Sequence, residues 1–265
     1  VSSRVYKEGN WGFASNPDLS DSAVEYVVQS ASDNVRFMND RNKIQCGFIL
    51  PDTCGHYEMD LTTQVSRNSQ KQWIDFLKDI DNYIQNKYSH LTSRTIVLAG
   101  LDMEKSLLTS SGSTSYSMTP RGIMYISLNM EKNGEPIELM DVFGGLGQLE
   151  DHFLDPTQFY SDIDNLADHL SRKADGVYAD AGMKDVILDA DLAGILAHEA
   201  IGHTTEADLV MGGSVAGEYM GRQVSSELVT LIDYANSVDG KTCPVPVYID
   251  DEGTLSEDTV IIKDG

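Results

Sequence analysis

A long run of alternating apolar and polar residues in the first half of the chain leaves few folds open to it. The run extends from Ser106 to Val142 and is interrupted by turn-forming residues at Gly112, Pro120 and Asn133-Gly134. A period of two places successive side chains on opposite faces of a strand, and Asn-Gly is a strong hairpin signal. The run therefore predicts an antiparallel meander with one buried face.

Helical periodicity flanks this run on both sides. Apolar residues recur at spacings of three and four, which predicts helices that each bury one stripe. The predicted helices cover residues 21–38, 68–88 and 161–174. A hairpin at residues 5–13 and further strands at 96–99, 186–188, 228–232, 245–249 and 259–262 complete the pattern. The sequence therefore predicts an α+β fold with antiparallel meander sheets, packed helices and the start of a second β-rich domain.

The change of pattern late in the chain predicts two domains. Residues 1–182 are expected to form an N-terminal α+β domain. Residues 183–265 would contain a helix with a metal motif and the first part of a C-terminal catalytic domain. The last strand runs into Lys263-Asp264-Gly265, which is typical of a hairpin turn. Because the chain also opens on Val1, we expect it to be a fragment of a longer protein.

Two other segments match ligand sites poorly. The glycine-rich stretch at residues 143–147 lacks the Lys and Ser/Thr of a phosphate-binding loop, so we interpret it as a plain turn. Cys46 and Cys54 are separated by seven residues. Cysteine pairs that bind zinc usually sit two to four residues apart. Two ordinary small side chains are therefore favoured over a metal pair, and no cofactor-binding loop is expected.

The charge of the chain excludes two classes of partner. Acidic residues outnumber basic ones by 42 to 19, for a net charge of -23. Affinity for nucleic acid rests largely on basic residues, so neither nucleic acid nor an anionic membrane surface is expected as a partner. Basic or neutral substrates are favoured. An odd set of three cysteines argues against a disulfide framework and is compatible with the cytoplasm.

An acidic and a basic residue extend the apolar stripe of a predicted helix. On an ideal helix Leu192, Ile195 and Leu196 share one stripe, and Glu199 and His203 continue it. An acid and a histidine on a buried face are costly unless they are paired or bound. A bound metal is the economical explanation, and a pair of satisfied core histidines near a helix end is the alternative.

The spacing of the two histidines predicts a helix defect. His198 and His203 are five residues apart, which separates them by about 140° on a regular helix. Zinc-peptidase helices usually carry histidines four residues apart, with Glu after the first. A π-type turn would bring positions i and i+5 together, and Gly202 tolerates unusual backbone angles. We therefore predict a distortion between Ala200 and His203.

The segment Leu196-Ala197-His198-Glu199-Ala200-Ile201-Gly202-His203, followed by Glu206 and Asp208, resembles the motif of the TldD/PmbA metallopeptidases, also labelled "modulator of DNA gyrase". Other segments resemble the family in the same order, at residues 11–15, 221–226, 228–230 and 249–254. The resemblance implies a catalytic TldD-type subunit, in contrast to a similar partner subunit that lacks the metal motif.

By this resemblance His198 and His203 bind Zn²⁺ and Glu199 is the catalytic base. The third zinc ligand would be a Cys outside this chain. Glu206 or Asp208 would orient a histidine from behind, although a solvated surface carboxylate is an equally valid interpretation of either.

The resemblance also implies a function, namely zinc-dependent hydrolysis of unfolded or flexible peptides, with pairing to an identical or related subunit. Without its third ligand, this chain alone is expected to be inactive or weakly active. Two alternatives remain open. One is a non-catalytic peptide-binding or scaffold subunit with structural histidines, and the other is a metal-binding module without hydrolytic activity.

Overall fold

The computed structural model describes residues 1–41, 55–63 and 66–265. Its contacts divide the chain into two compact units, residues 1–53 and 54–265. The interpretation of Cys46 and Cys54 lies outside the described residues. The predicted domain boundary after residue 182 falls inside the second unit and stays a prediction.

The first unit is a hairpin covered by a helix. Strands β1 (Ser2–Lys7) and β2 (Asn10–Ser15) pair antiparallel, and helix α1 (Asp21–Arg41) packs on them. A Cβ atom at Gly12 would lie 2.0 Å from the carbonyl oxygen of Ala31, so the close approach of helix and hairpin requires glycine. Both the predicted hairpin and the predicted helix are confirmed.

The sheet of the second unit is built around one central strand. Its strands are β3 (His56–Asp60), β4 (Ser93–Leu108), β5 (Thr114–Lys132) and β6 (Glu135–Leu146). Strands β4, β5 and β6 pair antiparallel in sequence order, which confirms the predicted meander. Strand β3 pairs parallel to β5, and it lies in a stretch whose sequence shows no clear period.

Pro120 does not interrupt the meander, contrary to the prediction. Strand β5 passes through it, and Pro120 pairs with Asp102 of β4. On the other side of β5, pairing with β3 ends at Met118 and pairing with β6 begins at Arg121. A proline lacks an N–H donor, and this gap between two neighbouring strands is a position where the donor is not needed.

Three helices cover one face of this sheet. They are α2 (Gln70–Lys87), α3 (Leu149–His152) and α4 (Tyr160–Ala174). Alternate residues of β5 point into the core, where Met124, Ile126 and Leu128 are fully buried. The helices contribute the apolar stripes predicted for residues 68–88 and 161–174, including Ile80, Ile84, Ile163 and Leu170. These two helix predictions are confirmed.

A polar cluster also joins α2 to α4. The carboxylate of Asp164 accepts hydrogen bonds from the Tyr83 and Tyr88 hydroxyls and from Lys87 Nζ. Burial raises the pKa of Asp164, but these three donors outweigh it and hold the pKa below its usual value. Burial and the neighbouring Asp164 carboxylate raise the pKa of Tyr88 to about 12.

The remaining elements are short. They are α5 (Ala190–Ala197), α6 (His203–Thr205), α7 (Ala207–Met211), β7 (Leu231–Asp233), β8 (Ser237–Val238), β9 (Lys241–Thr242) and β10 (Thr259–Ile262). Strands β7 and β10 pair antiparallel, as do β8 and β9. The strand predicted at 259–262 is confirmed, and the one predicted at 228–232 is shorter and begins at Leu231.

Two predicted strands are absent from the described part of the chain. Residues 186–188 are irregular, and Ile187 is 99% exposed. Residues 245–249 form only one isolated bridge, between Ile249 and Leu255. An apolar run becomes a strand only when another strand takes its backbone hydrogen bonds in a regular ladder. In residues 245–249 the backbone bonds are scattered, with the Val247 amide donating to Ala235 O and the Tyr248 carbonyl accepting from the Ser256 amide.

The mixture of helices with mainly antiparallel sheets confirms the predicted α+β class. None of the helices in the described ranges combines the length and apolar character needed to cross a membrane.

Candidate metal centre

The segment that carries the two histidines is a helix with one widened turn. Helix α5 begins at a cap, where the carboxylate of Asp189 accepts from the Leu192 amide at 2.8 Å. After Ala197 the chain forms a π-helical turn over His198–Gly202 and then enters α6. The amide of His203 donates to the carbonyl oxygen of His198, which is the i+5 to i bond that defines a π turn.

The helix defect predicted from the histidine spacing is therefore confirmed. The two imidazole rings lie on the same side of the helix, with their centroids 4.4 Å apart. The expected contribution of Gly202 is wrong, because its φ of -50° and ψ of -59° are ordinary helical values. The extra residue of the π turn, rather than a strained glycine, brings the rings together.

Three hydroxyl groups support the widened turn. Thr204 Oγ1 donates to the carbonyl oxygen of Ile201 at 2.8 Å, and Thr205 Oγ1 donates to that of Gly202 at 2.9 Å. Ser214 Oγ in turn donates to the carbonyl oxygen of Thr204 at 2.7 Å. A π turn disturbs the regular ladder of helix hydrogen bonds, and these side chains satisfy the carbonyl groups near its end. Sequence reasoning missed all three residues.

The π turn brings three potential metal ligands together. One donor atom each from His198, Glu199 and His203 lies within 4.8 Å of the other two. His203 Nε2 is 3.9 Å from Glu199 Oε2. Two imidazole nitrogens with a carboxylate beside them are the residue types that hold zinc and flank it in zinc-peptidase helices, so these residues fit the implied metal.

The two carboxylates that follow the motif have different contacts. Glu206 Oε1 lies 2.7 Å from His203 Nδ1. The carboxylate of Asp208 accepts instead from the backbone amide of its own neighbour Leu209, at 2.9 Å. The geometry thus connects Glu206, and not Asp208, to a histidine of the cluster.

The buried face expected for this helix is wrong for the structure described. Ile195 is 57% exposed and Leu196 is 54% exposed. The side chains of Glu199 and His203 are 66% and 47% exposed. Helix α5 makes its main contacts with the adjoining π turn, so no apolar layer covers the stripe among the residues described.

An open groove runs beside the cluster. His198 and Glu206 line one side of it, and strands β7 and β10 line another. The groove is large and faces solvent, so it has room for an extended chain rather than only for a small molecule.

An α+β chain that gathers two imidazoles and a carboxylate on one helical turn has the donor set of a metallopeptidase. Residues 181–265 match the family model described as the PmbA/TldA metallopeptidase C-terminal domain. The resemblance to TldD/PmbA metallopeptidases noted from the motif is therefore confirmed.

Relatives with curated names extend this similarity along the whole chain. The chain is 29% identical to a metalloprotease of Methanocaldococcus jannaschii, covering 100% of this chain and 57% of the relative. It is 23% identical to a zinc metalloprotease TldD homolog of Saccharolobus solfataricus, covering 99% of this chain and 55% of the relative. The chain thus spans little more than half the length of these relatives.

A solved structure shares the fold. TldE from Thermococcus kodakarensis superposes with a TM-score of 0.61 at 16% identity, over 99% of this chain and 57% of that one. At this identity the match concerns the fold, and the chemistry has to be argued from the side chains.

Proposed function

We propose that this chain carries the catalytic metal segment of a TldD-type, zinc-dependent peptidase that hydrolyses unfolded or flexible peptides. The observation that supports it most is the convergence of His198, Glu199 and His203 on one π-helical turn. Metalloprotease and zinc metalloprotease are also the names of its relatives.

In this proposal the two imidazoles hold zinc, with a third ligand, a Cys, supplied from outside this chain. Zinc, when bound, supplies Lewis-acid polarisation of water and of the scissile carbonyl. Glu199 accepts the proton of the attacking water and returns it to the leaving amine. Its carboxylate lies 3.9 Å from His203 Nε2, a nitrogen that would hold the metal, so Glu199 would be close enough to take a proton from a bound water.

The substrate we propose is a peptide in an extended conformation. Strands β7 and β10 form a two-stranded sheet that lines the groove, and in the described part of the chain each strand pairs along only one of its edges. A flexible peptide can add to the other edge through main-chain hydrogen bonds, which select an extended backbone conformation rather than a particular sequence. The net charge of -23 favours basic or neutral peptides.

We further propose that the complete protein acts in the cytoplasm as an oligomer with an identical or related subunit. Because two imidazoles alone bind zinc weakly, we expect this 265-residue chain to have little or no peptidase activity by itself.

The rival proposal is a non-catalytic peptide-binding or scaffold subunit with structural histidines. The exposure of Glu199 and His203 is the observation that favours it. The fold alone does not separate the two proposals, whereas metal content and proton transfer do.

The experiment first measures metal binding by the chain. Cobalt(II) is added to the metal-free protein, and its visible absorption reports the ligand set and the dissociation constant. We expect one site per chain, which His198→Ala abolishes and Glu199→Gln retains. His169→Ala is the matched control, because His169 is an exposed histidine on α4, in a different part of the fold.

Peptide cleavage is then measured in a full-length protein that contains this chain. Glu199→Gln should abolish cleavage of an unfolded peptide while zinc content is unchanged. Cleavage at the wild-type rate in that variant would exclude Glu199 as the base, and a zinc-free full-length protein would favour the scaffold.

A further inference from the structure

The hydrogen bond between Glu206 and His203 gives the two nitrogens of the His203 imidazole different roles. Glu206 Oε1 and His203 Nδ1 are 2.7 Å apart, within the range of a charge-assisted N–H···O bond. An ionised carboxylate only accepts, so a neutral ring that keeps this contact would carry its proton on Nδ1 and its lone pair on Nε2. Nε2 is also the atom that faces Glu199, at 3.9 Å, on the side of the candidate metal position.

The backbone holds Glu206 where this bond forms. Helix α6 ends at Glu206, whose ψ of 135° breaks the helix before α7 begins. The segment that follows is tied back by the hydrogen bond from Ser214 Oγ to the carbonyl oxygen of Thr204. Glu206 lies three residues after His203, a spacing that places the two side chains beside each other on one helical turn.

The two histidines of the cluster differ in this respect. Among the residues that the structure describes, His198 has no carboxylate within hydrogen-bonding distance. Its ring contacts the ring of His203 instead. Only His203 thus has its ring orientation set by an acidic partner.

We propose that Glu206 is a positioning residue, which holds His203 in the Nδ1–H tautomer with Nε2 directed at the metal. This inference rests on the proposed metal site. A carboxylate behind a metal-binding histidine fixes its tautomer and increases its basicity, and losing such a partner typically costs 10–100-fold in metal affinity. Since both side chains are about half exposed, we expect a loss near the lower end of that range.

The experiment compares the variants Glu206→Ala and Glu206→Gln with the matched control Glu218→Ala in the 265-residue chain. Glu218 is an exposed carboxylate on the neighbouring 3-10 helix Val215–Tyr219. Zinc affinity is measured by competition with a chelator. The imidazole tautomer is measured by nitrogen-15 NMR of the metal-free protein at a pH where histidine is neutral.

We expect Glu206→Ala to bind zinc about tenfold more weakly and to lose the predominance of the Nδ1–H tautomer. Glu206→Gln should recover most of both, because its amide oxygen still accepts from Nδ1. Glu218→Ala should match the wild type within twofold.

Wild-type zinc affinity in Glu206→Ala would overturn the inference, as would a loss of affinity without a change of tautomer. A wild-type chain that binds no zinc would overturn the proposed metal site itself, and this role with it. The wild-type titration therefore separates failure of the metal site from failure of the role of Glu206.

Discussion

Ile126 at the centre of the sheet is fully buried, whereas Ile195 on the helix before the candidate metal site is 57% exposed. The contrast holds for the two regions around them. Residues 55–174 form a core in which β5 and three helices share one apolar layer. Residues 175–265 expose most of their large apolar side chains.

The difference shows that the site owes its geometry to local hydrogen bonds rather than to packing. The π turn is held by its own backbone bond between His198 and His203 and by the hydroxyls of Thr204, Thr205 and Ser214. Hydrogen bonds between residues so close in sequence can form without a surrounding core, although each contributes only about 1 kcal/mol to stability.

The largest expected effect tests the contrast directly. Ile126→Ala should lower the free energy of unfolding by about 2–5 kcal/mol, because it leaves a cavity in a packed core. Ile195→Ala removes the same atoms from an exposed position and should change it by about 0.5 kcal/mol or less. Denaturant unfolding measures both. Equal losses would show that Ile195 is covered in solution and that the two regions do not differ.

A smaller effect is expected at the polar cluster of the packed region. Asp164→Asn weakens the hydrogen bonds from Lys87, Tyr88 and Tyr83 and should cost about 1–2 kcal/mol, because the group is partly exposed. Since these donors lower the pKa of Asp164, its contribution is complete above the usual carboxyl pKa of about 4 and is lost as pH falls through the lowered value.

Unfolding measured between pH 7 and pH 2 should therefore show the two proteins converging only in acid. Asp168→Asn is the control, because Asp168 forms an exposed ion pair with Arg172 on the same helix. A difference between wild type and Asp164→Asn that stays constant down to pH 2 would contradict the assignment.

The smallest effect concerns the metal segment. An added Cβ at Gly202 would meet Ala197 O at 3.6 Å and His198 Nδ1 at 3.8 Å, which are ordinary contacts. Gly202→Ala should stabilise the local helix by about 0.5–1 kcal/mol, seen as slower hydrogen exchange of its amides. Cobalt affinity should stay within about twofold. A tenfold loss of affinity would show that the glycine gives the His198 ring room it needs.

Much of the fold could be predicted because its signals are local. The apolar stripes of α2 and α4 and the alternation in β5 can each be recognised from a single hydrophobic period next to a turn signal. The parallel pairing of β3 could not be predicted, because it joins residues about 58 positions apart without a periodic signal. Pro120 misled the prediction, because its tolerance depends on which strands lie beside it.

At the candidate site, the i and i+5 spacing of His198 and His203 was enough to predict the π turn, since a helix has few ways to align such a pair. The contacts behind it were not predictable. Ser214 reaches Thr204 because α7 and the turn at Gly213 reverse the chain, and Asp208 turns to the Leu209 amide whereas Glu206 meets His203. Sequence by itself determined the residue types and their spacing along one helix, which are properties of neighbours in the chain. Only the tertiary structure decided which hydroxyl, carboxylate or strand edge meets them. Those contacts depend on the path that the chain takes through the turns between the contacting residues.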